Sequence, residues 1–440
     1  MKRHFARLLT AAAITSCTPA TAITIFVTSD SGGKNVAESC TLRDAIAYSN
    51  SGLPSGGCGS ASAIVNASTI QAPATSVSNV IELPVATTIT LSAVDDPDRN
   101  VGLPPVTAPL VIHGNGGTIR RDPGVACGHD DALSPGEFGL IYNGTLHEID
   151  DATLRDGCAD APAGTGPYGG AIYNAGQLTL ARVILLDNYA RIGGGALYSS
   201  GYGNNAGVVQ VTASAFTGNG AQSGGAIYLA GSSAALVADG SVFEQNAAAE
   251  FFSGGALFVP TGTTAHVANS TFAQNSGGSG SAIQADGTVT LSFVTIAQNA
   301  TASGSGGALQ VSASGPVQQL TVKNSILADN DGGAGNCQLG LGMMTAAGAD
   351  LSSDASCIGF SLNGADAQLA PLAGYGASAT YALNPRSAAV NAVEDCTDTQ
   401  GAPVGFDQRG MPRAQGAACD IGAFELGDRV FGDGFEIIVN

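Results

Sequence analysis

The stretch from Gly169 to Asn330 repeats one short pattern six times, and this repetition constrains the fold more than any other feature of the chain. A small-residue turn leads into an aliphatic residue at Gly170-Ala171-Ile172, Gly195-Ala196-Leu197, Gly225-Ala226-Ile227, Gly255-Ala256-Leu257, Ser281-Ala282-Ile283 and Gly307-Ala308-Leu309. In step with it, a bulky apolar residue stands three positions before an asparagine: Leu185/Asn188, Phe216/Asn219, Phe243/Asn246, Phe272/Asn275, Ile296/Asn299 and Leu327/Asn330. Successive asparagines are 31, 27, 29, 24 and 31 residues apart, a spread that suits turns with variable loops. Repeats of this length mean a solenoid.

Within each unit, apolar and Ser/Thr residues alternate, as from Gly207 to Phe216 and from Thr288 to Ile296. That is the period of a half-buried strand, and no unit has ten residues at helical spacing. Two or three short strands per coil, with glycine at corners that need positive φ, give a parallel β-helix. The aliphatic column of Ile172, Leu197, Ile227, Leu257, Ile283 and Leu309 is then expected to point inward. Its neighbours Tyr173, Tyr198, Tyr228, Phe258, Gln284 and Gln310 should point outward, with the four aromatics as an exposed contact ladder. The six asparagines Asn188, Asn219, Asn246, Asn275, Asn299 and Asn330 are expected to be structural: Asn tolerates the left-handed backbone of tight corners, and stacked carboxamides can bond along a column.

These paired signals, GGA-aliphatic and F-x-x-N, resemble the polymorphic outer membrane protein repeats of secreted and surface-displayed bacterial proteins. Ser39-Cys-Thr-Leu-Arg-Asp-Ala-Ile-Ala-Tyr-Ser-Asn50 is similar to the N-terminal CSLREA motif, with Thr41 and Asp44 in place of the family's Ser and Glu. Asp407-Gln-Arg-Gly-Met-Pro-Arg413 with Cys419-Asp-Ile-Gly-Ala-Phe-Glu425 resembles the C-terminal choice-of-anchor Q segment. The resemblance implies an all-β, right-handed parallel β-helix with an N-terminal cap and an irregular C-terminal cap. It specifies architecture and is nearly silent on activity.

The first 22 residues read as a signal peptide: Lys2, Arg3 and Arg7 precede an uncharged run, and Ala20-Thr-Ala22 offers a cleavage site. A lipoprotein boundary at Cys17 would leave too short an apolar run, so plain secretion is expected. Cleavage removes Cys17 and leaves eight cysteines, an even number suited to an oxidising compartment. It also takes three of 16 basic residues, leaving 13 against 35 acids, a net −22. So acidic a chain repels nucleic acid and anionic lipid, and neither is expected as a partner. No uncharged apolar run of the mature chain nears the ~20 residues of a spanning helix. The expected location is extracellular or on the outer-membrane surface.

The expected layout is a strand/helix cap over 23–78, the β-helix over 79–336, a C-terminal cap over 337–425 and a tail over 426–440. Thr41 should cap a short helix in a capping-box-like arrangement with Asp44. Early coils read as strands around 80–83, 87–91, 110–113, 140–142 and 152–154, with a turn at Asn115-Gly-Gly117. In a solenoid only residues close in sequence meet, so the cysteines should pair locally as Cys40–Cys58, Cys127–Cys158, Cys337–Cys357 and Cys396–Cys419. His129, Asp130 and Asp131 beside Cys127 are the densest group of potential metal ligands, and a tethered surface loop explains them better than a metal site.

Enzymatic chemistry on polysaccharides needs clustered carboxylates or a placed base. Between Gly169 and Asn336 the basic side chains are Arg182, Arg191, His266 and Lys323, and the acids sit next to repeat asparagines as turn residues. There is no Trp for a sugar platform. The reading is therefore an adhesive or structural β-helix with no catalytic residues, no cofactor and an unidentified surface or matrix partner, with polysaccharide as one class. A lyase or hydrolase acting on a neutral polysaccharide is the alternative.

Overall fold

A computed structural model describes residues 22–28, 39–59, 64–65, 78–128, 136–161, 166–201, 207–301, 306–312, 319–331, 333–339, 344–374 and 378–427. Residues 1–21, where the signal peptide is expected, His129, Asp130, Asp131 and the tail beyond 427 lie outside these. The chain is a parallel β-helix. One coil shows the plan: strand Leu197–Gly201, then Val208–Thr212 and Ala215–Thr217 meeting at a corner, then Gly220–Ser223. The first belongs to an eight-stranded sheet, the middle two to a 21-stranded sheet bent at that corner, and the last to a six-stranded sheet. Regular coils thus carry four strand segments rather than two or three.

Register is strict. Leu197 pairs with Ile172 on one side and Ile227 on the other, and the column continues through Leu257, Ile283 and Leu309, all with no exposed surface. A second column stacks Leu185, Phe216, Phe243, Phe272, Ile296 and Leu327 with equal burial. Its rings lie face to face, with centroids 4.9 Å apart at Phe216/Phe243 and 4.5 Å at Phe243/Phe272. A parallel sheet brings each inward residue over its counterpart one coil on, so the core is a set of like-on-like stacks.

The glycine signal also has its cause. Gly194, Gly224 and Gly254, each before a Gly-Ala pair, hold φ of 64°, 59° and 71°. A side chain on the following Gly195, Gly225 or Gly255 would strike the backbone of the next coil.

At the N-terminal end the helix Leu42–Ser51 is capped by Thr41, whose hydroxyl accepts from the Asp44 amide. It packs over the first coil: Asn79 donates to Ser49 Oγ at 3.2 Å, Asn50 donates to Pro105 O at 2.7 Å, and Arg43 pairs with Asp95 at 2.9 Å. The stretch Asn115–Gly117 is not a turn between strands. It bends within a single strand, Leu110–Arg121, with positive φ at Asn115 and Gly116 and a register shift that absorbs the extra residues.

The C-terminal segment departs most from a simple end cap. Strand Leu362–Asn363 continues the last coil, but the chain then folds back along the flank of the solenoid. A hairpin, Leu369–Gly374 with Ala379–Leu383, sets Tyr381 against Ala273 and Ala297. Ile421 and Phe424 pack with Phe293, Ile326 and Ala328, which point out of the coil at the bent corner. Phe293 is therefore buried by the segment, not by the interior. Four disulfides join Cys40–Cys58, Cys127–Cys158, Cys337–Cys357 and Cys396–Cys419, the pairs that local joining gives.

Candidate functional site

The asparagines form a continuous hydrogen-bonded ladder. Each Oδ1 accepts from the backbone amide and the carboxamide of the asparagine one coil earlier: Asn188 to Asn219 at 3.0 Å for both, Asn246 to Asn275 at 2.9 and 3.0 Å, Asn275 to Asn299 at 2.9 and 2.8 Å. Each Nδ2 also donates to a carbonyl of the previous coil, as Asn246 does to Phe216 O at 2.8 Å. The ladder extends past Asn330 to Asn336. Every polar atom of a buried member has a partner, which leaves no group for a ligand. The left-handed residue of this corner is not the asparagine but the one before it: Asp187, Gly218, Gln245, Gln274, Gln298 and Asp329 all have positive φ.

A second ladder escaped the sequence reading. At the bend of the long sheet, Ser214, Ser241 and Ser270 each accept an amide from the preceding coil at 3.0–3.2 Å and donate to the carbonyl two residues back. Ser325 does the same, and Asp350 then takes the serine's place, accepting from Ser325 N at 2.9 Å. The signal was a serine two positions before each phenylalanine of the F-x-x-N pattern. Burial pushes the Asp350 carboxyl up to about 6, against two backbone hydrogen bonds that pull the other way.

The aromatic column points out of the coil, yet it is not an open ladder. Tyr198 keeps only 7% of its surface because Tyr168 lies over it at 4.5 Å, and Tyr173, Tyr228 and Phe258 are half-buried. Tyr142, Tyr173, Tyr198 and Tyr228 succeed one another at 5.2–5.4 Å, so their faces meet one another rather than solvent. Gln284, expected in water, has no exposed surface: its amide donates to Asp286 at 2.6 Å and Ser312 at 2.9 Å.

The outer face of the early coils is charged. His113 Nδ1 lies 2.8 and 2.9 Å from the two oxygens of Asp150. Burial alone would lower the imidazole pKa, but the Asp150 bond and the charges of Asp150, Glu82 and Glu148 raise it above its ordinary value. Further along, Arg120 and Arg155 share Asp156, Arg155 reaches Asp187, and Arg182 grips Asp151. Inside the same coils His147 occupies an inward position between Leu110 and Leu178. It is fully buried, neither ring nitrogen has a hydrogen-bond partner among the described residues, and burial drops its pKa to about 3.

The C-terminal motif residues lock the segment to the solenoid. Arg413 donates to Asn269 Oδ1 at 2.7 Å and Gly422 O at 2.9 Å, pairs with Glu425 at 3.4 Å and lies 4.0 Å over the Phe293 ring. Gln408 accepts from Thr271 and donates to Ser378 at 2.8 Å, and Arg409 covers Phe424 at 3.5 Å. Lys323 crosses to Asp395 at 2.9 Å and Thr397 at 2.6 Å. Between this segment and the long sheet runs a groove of about 490 Å³, its floor made by Val237, Asp239, His266, Thr290 and Ser292 and its wall by Asp398–Phe406. His266 Nδ1 lies 2.7 Å from Thr290 Oγ1.

Among the described residues no three His, Cys, Asp or Glu side chains come together as a metal site. No helix among them is long and apolar enough to cross a membrane. The crystal structure of pectate lyase Pel9A is similar at a TM-score of 0.48 and 13% identity, over 92% of this chain and 97% of that one. No family model and no curated protein matches the chain.

Proposed function

We propose that this is a secreted or cell-surface β-helix protein with an adhesive or structural role and no catalytic turnover. Residues 1–22 direct export, Ser39–Asn50 acts as the CSLREA-type cap, the coils are the outer-membrane-protein-like repeats, and 407–425 is a choice-of-anchor Q-type closure. The partner is an extracellular surface component, with neutral polysaccharide the class that a strongly acidic chain admits most readily.

One observation carries this reading. The side chains that recur from coil to coil and could bear chemistry, the asparagines and serines, are consumed in hydrogen-bonded ladders along the axis. Four disulfides and two end structures add a stiff, closed rod suited to an oxidising exterior.

The competing reading, a polysaccharide lyase or hydrolase, draws on the His113–Asp150 pair, a half-exposed imidazole made more basic by its neighbours. A panel of neutral and acidic polysaccharides, incubated with and without calcium and assayed for new reducing ends and unsaturated products, separates the two. The expected result is surface binding with no product. Cleavage that disappears in His113→Gln, Asp130→Ala or Asp131→Ala would replace the adhesive role with catalysis.

A further inference from the structure

The groove beside the C-terminal segment has a chemistry that none of the ladders uses. Its floor is two outward columns of the long sheet, Val237–His266–Thr290 and Asp239–Ala268–Ser292, each paired residue on residue from coil to coil. The first column continues into Gln210 on one side and Thr321 on the other. Apart from Val237, it therefore offers hydrogen-bonding side chains repeating at the ~4.8 Å strand spacing. The groove also presents apolar surface that remains in water: Phe406 on the wall is 59% exposed and Val237 on the floor 45%.

The occupant follows from these groups. No Lys or Arg lines the groove, while Asp239 and Asp398 do, so an anionic ligand meets no cation and two carboxylates. An extended peptide would gain its affinity by adding to a free strand edge, but every floor strand is paired on both sides. A ligand with hydroxyls on one side and C–H surface on the other suits a polar floor facing an aromatic wall.

The wall is also fixed before any ligand arrives. Thr399 N donates to Ser292 Oγ at 3.1 Å, Lys323 holds Asp395 and Thr397, Gln408 is tied to Ser378, and Cys396–Cys419 closes the loop. Preorganisation of this kind leaves more of the contact energy for binding.

We propose that this groove is a binding site for a neutral oligosaccharide chain, with Phe406 as the stacking surface and His266, Thr290 and Asp239 as hydrogen-bonding floor. The assignment rests on the non-catalytic reading above and gives it a location. The test uses the full mature chain and calorimetric titration with cellohexaose, xylohexaose, mannohexaose and trigalacturonate. Phe406→Ala and His266→Ala probe the groove, Phe251→Ala removes a phenylalanine that is 82% exposed elsewhere, and thermal melts verify the fold of each.

Binding of at least one neutral hexaose is expected, weakened about tenfold or more by Phe406→Ala and untouched by Phe251→Ala. The site is overturned if no neutral hexaose binds at millimolar concentration, if Phe251→Ala weakens binding as much as Phe406→Ala, or if trigalacturonate binds as tightly as the neutral sugars. New reducing ends in a titration that remains sensitive to Phe406→Ala would support the site and overturn the non-catalytic reading instead.

Discussion

The coils and the segment that folds along them bury polar groups by opposite means. In the coils a neutral side chain meets its own kind one coil away, so Asn219 stands between Asn188 and Asn246 and the same two bonds recur at each step. In the flanking segment the buried groups include charges and each contact occurs once: Arg413 with Glu425 and Asn269, Arg409 with Asp407. A ladder spreads its cost over many neighbours, whereas a unique ion pair fails when one partner goes. The difference predicts where the molecule is brittle.

The largest effect should come from Arg413→Ala. It leaves Glu425 and Asn269 buried without their cation, and removing one partner of a buried pair costs about 3–5 kcal/mol. Because those contacts hold the segment rather than the coils, limited proteolysis should cut between Asp395 and Gly427 while the solenoid persists as a protected fragment. Global unfolding with no protected fragment would show that the two regions are one cooperative unit.

The second effect separates the regions by pH. His147 is the lone titratable group in its apolar column, with a folded pKa near 3 against 6.5 unfolded. A lowered histidine costs nothing above pH 6.5 and destabilises progressively as pH falls from there to 3, by roughly 3 kcal/mol at pH 4. Asp420 in the flanking segment runs the other way: burial lifts its carboxyl to about 6, so its penalty is present above that pH and is relieved as pH drops toward the unfolded value of 3.8. Melting of wild type and His147→Leu across pH 4–7 should show the variant losing less stability in acid. Parallel curves would mean that His147 is hydrated or paired in solution.

How much of this was legible follows from the same contrast. The inward aliphatic column, the stacked phenylalanines and the asparagine corner were readable because periodicity shows in the chain itself, where Ile172 or Asn188 announces five equivalents. The left-handed residue one position before each asparagine was not, because its identity changes from Asp187 to Gly218 to Gln245 while only its backbone repeats. Tyr198 and Gln284 were misplaced because strand alternation says which way a side chain points, not whether Tyr168 or Ser312 then covers it. The groove was invisible for a stronger reason: its floor and wall lie more than a hundred residues apart, as Thr399 bonding Ser292 shows, and no local pattern couples them.

A third, smaller effect sharpens the ladder side. Asn246→Ala removes the acceptor of the Asn219 amide and carboxamide and the donor to Phe216 O, at about 1–3 kcal/mol for buried polar groups left unmatched. Ser241→Ala in the neighbouring ladder strands the Ser214 amide, while the Asp239 carbonyl it also releases keeps the Ala213 amide, and should cost less. Chemical denaturation of both variants orders the corners directly.

The smallest effect is expected where charges are paired but exposed. Arg182 and Asp151 meet at 2.7 Å with about half of each side chain in water, and the guanidinium holds the carboxyl below its ordinary pKa. By distance it is the tighter pair, bidentate at 2.7 and 2.8 Å against the single 3.4 Å contact of Arg413 with Glu425. Solvent screening separates them, since exposed pairs contribute 0 to about 1 kcal/mol and less as salt rises. Arg182→Gln should therefore change stability by less than about 1 kcal/mol, with the difference from wild type shrinking between low and high salt. Arg413→Ala should keep most of its penalty at either salt, because desolvation, not Coulomb attraction across water, sets its size. If Arg182→Gln were as damaging as Arg413→Ala, the outer charge network of the early coils would be acting as a unit, and the division between neutral ladders and unique ion pairs would fail at Asp151, Asp156 and Asp187.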